Sequence, residues 1–556
     1  MKQSHSWSDV YEYFEMKGLY VYIANNIASL IVGSIISMSP IIVFGCIDYS
    51  QLNKSHKIQE IILPYSVGWK NVGFFIQVCS TLFFLFTFAQ FTGFLLSFPK
   101  YLSIRRYFID ILKINDDELF IIDWNDVFER NSRYEPRKDI SLLGVAQQIL
   151  RFDNYMTAII SDPFLLTWKL PSSNSAHHFP MSRFFFYLFR TSLSGLVIDK
   201  SGCSVVNGAQ SIRVPQLNDA LRTRFRIIGF ILLLISPFVF AFEVLYLFFS
   251  YFQAIKSTPD SISYRRWTLQ AEWCFREYNE LPHIFRKRLS NSYYSASIYM
   301  NQFPSTVIQP IAKTLSFLFG SIIAYVIIMG VFTDISLVFS IKIFGDKTIS
   351  WLVMVCASAY AATKSVLADE IREFDPDQAL SNVEQFIHYD FKDDRNSAHS
   401  WQTQQRFSSF FQPIWEQLIM EVASVIYNPY IFLIVLPDKS AEIIEFIRKN
   451  SIQHSCLGWI CTFSTFEQND SINDYEKPSM NQLKIQRSMQ SFRLESPIAT
   501  SQIIGFDNND LVKSMIQEGI LTPKAPTVNF DSDLYQPSST LEDLSLVSPF
   551  EFSEIN

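Results

Sequence analysis

Glycine and histidine are scarce in this chain, at 17 and 8 of 556 residues, and its seven cysteines never form a Cys-x-x-Cys pair. Scattered singly at Cys46, Cys79, Cys203, Cys274, Cys356, Cys456 and Cys461, they support neither a zinc site nor a disulfide framework. His177 and His178 are neighbours in a polar loop, with no further ligand at metal-binding spacing. The phosphate-cradling patterns G-x-x-x-x-G-K-[ST] and G-x-G-x-x-G are missing, and so are H-E-x-x-H and G-x-S-x-G. No cofactor, no metal and no hydrolase chemistry is therefore expected, and nothing points to a nucleic acid partner.

Charge is missing too, and its absence is concentrated. Gly18 to Ile47 is thirty residues without a charge, and Asn71 to Pro99 is twenty-nine. A helix needs about 20 apolar residues to cross a hydrocarbon core of roughly 30 Å, so each block spans with residues to spare. Thr314 to Thr333 adds a third block of twenty. Thr348 to Thr363 is a fourth of only sixteen, extendable to Ala368 if Lys364 reaches back to the interface. Lys17 before the first block imitates a signal peptide, but the apolar run is too long and no small-residue cleavage site precedes Asp48. The block reads as a retained span.

Two further apolar segments differ in kind. Ile227 to Ile255 carries Glu243 inside and Pro237 near its middle, and is basic at both ends (Arg213, Arg222, Arg224 and Arg226; Lys256, Arg265 and Arg266). Lys- and Arg-rich flanks lie on the cytosolic side, and a proline is a natural bend point. The expectation is a re-entrant hairpin dipping into the cytosolic leaflet. If it crossed instead, residues 256–313 would face the lumen with eight Lys and Arg. Val422 to Pro437 repeats the theme in sixteen residues centred on Pro429, and reads equally as a re-entrant segment or a buried cytosolic helix.

The organisation that follows is an all-α membrane protein. It has four transmembrane helices, two re-entrant or interfacial proline-broken segments, and a cytosolic helical domain. A short cytosolic N-terminus (1–17) leads into the first transmembrane pair (18–99), and a cytosolic helical region (100–226) precedes the hairpin (227–255). Cytosolic helices (256–313) lead to the second pair (314–368), then to a cytosolic helical domain (369–493) holding the membrane-embedded segment 422–437. Within these, Ile121, Trp124 and Val127 have the spacing of a packing face. Leu142 to Leu166, interrupted by Arg151, Asp153 and Asn154, reads as an amphipathic helix. The tail 494–556 has ten acidic residues against two lysines, a net of −8 in a chain of net −7, and is expected to be disordered.

Several segments together carry a resemblance. Arg265-Arg266-Trp267, then Phe275-Arg276-Glu277-Tyr278-Asn279-Glu280-Leu281-Pro282-His283, resemble the signature of the autophagy-related protein 9 family. So do Tyr299-Met300-Asn301-Gln302-Phe303-Pro304-Ser305, Asp153-Asn154-Tyr155-Met156, Leu457-Gly458 with Cys461 and Phe463, and Lys484 to Phe492. The matches run in order over roughly residues 7 to 493.

The resemblance implies domain-swapped homotrimers that scramble phospholipid between leaflets without ATP, and so no enzyme chemistry. It also implies cooperation with lipid-transfer proteins of the autophagy-related protein 2 family. The membranes implied are the phagophore assembly site, cytoplasmic vesicles, Golgi and endoplasmic reticulum. A vesicle-borne scaffold that recruits the autophagy machinery is the alternative function.

A conduit for headgroups needs polar side chains at membrane depth or at its ends. The candidates are Lys256, Arg265, Arg266, Glu243 and Lys364. The serine and threonine after Lys256 depart from the charged continuation usual in the family. Glu243 is the sharpest of them, facing either a cavity or partner, or else headgroups and water. In the tail, Phe552 and Ile555 fit a short aromatic-x-x-aliphatic motif that binds ubiquitin-like modifiers by strand addition.

A glycosylation acceptor introduced near Ser261 tests the hairpin: it stays unmodified if that region is cytosolic, and its modification means that 227–255 crosses.

Overall fold

The structure, a computed structural model, describes residues 5–49, 61–134, 141–162, 165–169, 176–179, 181–197, 214–257, 264–303, 308–344, 347–365, 374–391, 397–454, 457–466 and 480–495. The acidic tail, with the motif expected at Phe552 and Ile555, lies outside them. The principal helices in chain order are α1 (Trp7–Glu15), α2 (Leu19–Ile41), α3 (Phe74–Tyr107), α4 (Arg151–Ser161) and α5 (Val214–Ser257). They continue with α6 (Ile308–Phe332), α7 (Ile349–Ser365), α8 (Ile414–Tyr430), α9 (Leu436–Lys449) and α10 (Met480–Glu495). Strands are confined to two-stranded ribbons among the described residues.

Among the described residues, five helical stretches are long and apolar enough to cross a membrane: Leu19–Cys46, Phe74–Leu112, Pro215–Phe249, Gln309–Phe332 and Ile414–Lys449. The expected fourth span is represented by the shorter apolar helix Ile349–Ala361. Both segments expected to be broken at proline thus belong to the long class. This is a correction, and α5 supplies its physical reason. α5 is a single 44-residue helix with Pro237 inside it, roughly 66 Å long, and no turn occurs there. Pro237 has no N–H for the carbonyl of Leu233, four residues back, but the Ser236 hydroxyl donates to that oxygen at 3.2 Å. Neighbouring hydroxyls re-satisfy freed backbone in this way within membrane helices. α2 repeats the arrangement, with the Ser39 hydroxyl donating at 2.9 Å to Ile36, four residues before Pro40. At Pro429 helix α8 also continues, and a π-turn over Ile431–Val435 joins it to α9.

The chain forms two compact units. One comprises Met1–Tyr246, Arg276–His283 and Val422–Asn556; the other comprises Leu247–Phe275 and Ile284–Glu421.

In the first unit, α1 is capped at Ser6, whose hydroxyl accepts from the Asp9 N–H while the Asp9 carboxylate accepts from the Ser6 N–H. Lys17 and Gly18, both at positive φ (59° and 97°), turn the chain into α2. A methyl group on Gly18 would meet the Asp116 side chain at 3.2 Å. α2 and α3 pack antiparallel: Tyr22 meets Tyr101, Gly33 meets Thr87, and the Ser80 hydroxyl donates to the Ser37 carbonyl. Small residues at such a seam let helices approach where lipid offers no hydrophobic drive.

Two expectations about the helical regions change here. Trp124 and Val127 are buried on the helix Trp124–Ser132, but Ile121 precedes that helix and is 90% exposed. Leu142 to Leu166 is not one amphipathic helix. Leu142–Ile149 and α4 meet at Leu150, and Arg151 and Asn154, expected on a wet face, are buried.

Arg151 donates to the Leu457 carbonyl, and Asn154 is covered by the segment Arg276–His283. Arg276 pairs with Asp153 at 2.9 Å, and Arg190 reaches the same carboxylate at 3.6 Å. The Asn154 side-chain amide donates to the Asn279 side-chain oxygen, and the Asn279 backbone N–H donates back to Asn154, each at 3.0 Å. Asn279 also donates to the Ser464 carbonyl at 2.8 Å, as Gln147 does at 2.7 Å. Tyr278 donates its N–H to Ser488 and its hydroxyl to Asn481 on α10, each at 3.0 Å. Helix α4, the ribbon Ser451–His454/Gly458–Cys461 and α10 are thereby joined through one short segment.

The second unit has its own aromatic core. Trp267, Phe275, Tyr299, Phe391, Phe407 and Phe411 pack together, the Trp267 indole N–H donates to Ser292 at 2.9 Å, and Tyr299 donates to the Ala398 carbonyl at 2.7 Å. Separately, α6 and α7 pack with Gly320 against Tyr360, and Val326, Val338 and Ile349 close the end of the pair.

Asn279 holds φ at 61°, which costs a non-glycine residue roughly 1–2 kcal/mol. Asn279→Gly should relieve that strain but lose the side-chain bonds, leaving buried partners unpaired at about 2–3 kcal/mol. Asn279→Ala should lose both and unfold earlier still. The thermal midpoints of the two variants in detergent, read by size-exclusion chromatography, check the order.

Candidate functional site

The five sequence-predicted conduit residues are divided between the two units. Glu243 belongs to the first unit, whereas Lys256, Arg265, Arg266 and Lys364 belong to the second. Glu243 is 8% exposed, on a helix that is otherwise apolar from Ile227 to Ile255. Its neighbour Phe242 packs edge-on against Phe83 and Phe86 of α3 at 5.2 and 5.4 Å, and stacks with Tyr246. One turn earlier, Phe238 stacks on Phe75. The carboxylate is therefore enclosed by protein rather than held at the edge of a shallow dip.

Arg265 and Arg266 lie in a ribbon. They form a short strand paired antiparallel with Phe411–Pro413, Arg265 opposite Pro413 and Arg266 opposite Gln412. The Arg265 guanidinium donates to the Phe411 carbonyl at 3.0 Å, and the Arg266 carbonyl accepts from the Gln417 amide at 2.8 Å. Burial pulls the Arg265 pKa below its usual value, partly opposed by the charge of Glu416. An arginine stays charged despite such a shift, so Arg265 acts as a half-buried strap on the ribbon. Lys364 is exposed near the end of α7, and Lys256 occupies the last turn of α5.

Two polar features escaped a search for charge. Asn428 on α8 is fully buried, and neither of its amide atoms has a hydrogen-bond partner. Lacking charge, it left no mark in the apolar run Val422 to Pro437. Secondly, a groove of about 500 Å³ opens at the head of α5. Ile227, Ile228 and Leu196 make its apolar wall, and Asp219, Thr223 and Arg224 its polar side. Arg224 also donates to the carbonyls of Ser192 and Ser194 at 3.1 and 2.8 Å, which fixes the guanidinium at that mouth. The groove thus sets an apolar wall beside a guanidinium held by backbone carbonyls. No group of three metal-binding side chains occurs among the described residues.

Long apolar helices, a buried carboxylate among aromatic rings and a polar-rimmed groove define a multi-pass, all-α membrane protein with a helical domain. Residues 6–467 match the family described as autophagy protein ATG9, and the chain belongs to that family.

Among curated relatives, it is 28% identical over 501 residues to autophagy-related protein 9 of Podospora anserina, covering 85% of this chain and 54% of the relative. It is 28% identical over 531 residues to the Dictyostelium discoideum protein, covering 91% and 74%. The chain thus spans about half the length of most of the curated relatives it matches most strongly. The cryo-EM structure of Schizosaccharomyces pombe Atg9 superposes with a TM-score of 0.61 at 26% identity, over 83% of this chain and 98% of that one.

Arg265→Ala should loosen the second unit, with faster proteolysis around the Phe411–Pro413 ribbon; Lys364→Ala, at an exposed position, should leave proteolysis unchanged.

Proposed function

We propose that this chain is an energy-independent phospholipid scramblase of autophagosome precursor membranes, redistributing lipid between leaflets as the phagophore expands. The observation that carries the reading is Glu243, enclosed on a long apolar helix. An ionisable group at membrane depth is strongly disfavoured unless it faces a partner or a hydrated cavity. A headgroup meets the same penalty, so a wet, polar lane through the protein lowers both costs together. Glu243, the unpaired amide of Asn428 and the groove at Arg224 are three polar stations of the first unit that such a lane could use. Lys256 and Lys364 remain candidates for the ends of a conduit. The process needs neither ATP nor a covalent intermediate.

The finer picture belongs to the same proposal. The chain assembles as a homotrimer and works with a lipid-transfer protein of the autophagy-related protein 2 family. That protein delivers lipid to one leaflet, and the scramblase relieves the resulting imbalance. The membranes concerned are the phagophore assembly site, cytoplasmic vesicles, Golgi and endoplasmic reticulum. One observation favours the alternative of a vesicle-borne scaffold without scrambling. The Arg265 guanidinium binds the Phe411 carbonyl within a backbone-paired ribbon, a structural use of one of the five charged conduit candidates.

Purified protein in liposomes containing a fluorescent lipid, treated with a membrane-impermeant quencher, separates the two. Scrambling exposes the inner-leaflet lipid and the signal falls nearly to zero, whereas a scaffold leaves the inner share intact. Glu243→Leu should slow flipping about ten-fold, the factor given by a ~1.4 kcal/mol rise in the barrier, with assembly retained. Unchanged flipping in that variant would give Glu243 a packing role only.

A further inference from the structure

The loop between α3 and the helix Trp124–Ser132 holds two large apolar side chains outward. Phe120 is 61% exposed and Ile121 is 90% exposed. This is not a frayed segment. Leu119, next to them, is fully buried. The Asp116 carboxylate accepts from the Tyr13 hydroxyl at 2.6 Å and from Arg105 at 2.8 Å. The Ile121 and Ile122 N–H groups both donate to the Glu118 carbonyl. A tight 3₁₀ turn, pinned from below, therefore displays Phe120 and Ile121 in fixed positions.

The place of the loop says what covers it. Lys17 donates through Nζ to the Leu119 carbonyl at 2.9 Å, and Gly18 lies against Asp116. Lys17 and Gly18 are the residues at which the charge-free run of α2 begins. One residue into that helix, Tyr20 is 63% exposed, with the Arg105 guanidinium 4.9 Å over its ring and donating to its hydroxyl at 3.1 Å. A tyrosine beside an arginine at the head of an apolar helix is the composition of a membrane–water interface. The exposed pair is thus continuous with the apolar surface of α2, at the level where that helix leaves water.

We propose that Phe120 and Ile121 are an interfacial anchor, inserted into the headgroup and upper acyl region of the cytosolic leaflet around α2 and α3. The occupant is lipid and not a protein partner, because the patch continues the lipid-facing surface. The charges nearby set the kind of lipid surface. Lys17, Arg105, Arg106 and Lys113 are balanced by Asp116, Asp117, Glu118 and Asp123. Insertion is therefore driven by apolar contact and needs no anionic lipid. Through Lys17 and Asp116, the anchor fixes α1 and the turn at Gly18 against the membrane surface. The inference rests on reading α2 and α3 as membrane-spanning, which the test examines separately.

Ile121→Cys, and Phe120→Cys as a second variant, are labelled with an environment-sensitive fluorophore in full-length protein in phosphatidylcholine nanodiscs. Wild-type protein treated in parallel gives the background of native thiols. Nitroxide lipids quench from either the top or the end of the acyl chain. Interfacial groups sit roughly 5–10 Å into the headgroup and acyl boundary, so the shallow nitroxide should quench about two-fold more than the deep one. Ile31→Cys, half-exposed in the middle of α2, should show the reverse order. Quenching at Ile31 with water-like, unquenched emission at both loop positions overturns the anchor while leaving the spans intact, and passes the patch to a protein partner. No quenching at any of the three positions overturns the membrane reading of α2 itself. Quenching at the loop only when anionic lipid is added overturns the apolar mechanism.

Discussion

Asp153, Asn154, Arg276 and Asn279 are polar side chains placed where water does not reach freely, so each must find its partner inside the protein. The reciprocal bonds between Asn154 and Asn279, and the ion pair between Asp153 and Arg276, meet that demand together. Removing one member strands the others, and an unmade buried bond costs more than a made one contributes. The consequence is positional. Arg276–His283 belongs to the first unit although the chain on either side of it belongs to the second. Two passages of the backbone between units are thus required for this segment to make its bonds.

A second demand of the same kind acts in the long helices. A proline removes one N–H and frees one carbonyl, which in hydrocarbon has no water to turn to. Ser39 and Ser236 each stand one residue before the proline and donate to the carbonyl it frees. That local repair is why Pro40 and Pro237 lie within continuous helices, and why a proline in an apolar segment is a poor guide to a turn when serine precedes it. Pro429 is preceded by asparagine, and a π-turn over Ile431–Val435 follows it, as one over Ile42–Cys46 follows Pro40. Asn428 is left buried with an unpaired amide, a polar vacancy in an apolar surrounding.

Much of the architecture was legible in the sequence. The charge-free blocks at 18–47, 71–99 and 314–333 correspond to long apolar helices, because hydrophobic length is a local property. Family membership was legible from the ordered motifs, since residues such as Asn279 and Asp153 are held by mutual contacts. Periodicity failed at Ile121, which shares helical spacing with Trp124 and Val127 but stands before the helix begins. It failed again over Leu142 to Leu166, where charged residues that resemble a wet face are paired internally. For the candidate site, charge singled out Glu243, which is buried, and Arg265, whose guanidinium binds the Phe411 carbonyl, a partner that spacing alone could not reveal.

The sequence by itself determined that this is a multi-span helical protein of the ATG9 family, because long runs without charge and ordered motifs need no knowledge of the fold. Only the tertiary structure decided what the polar interruptions are for. Arg276 and Asn279 lock the first unit, Ser236 mends a proline, Arg265 straps the second unit, and Phe120 with Ile121 faces outward at the head of α2. The physical reason is that a buried polar group takes its meaning from its partner, and those partners lie up to hundreds of residues away: 306 separate Arg151 from Leu457.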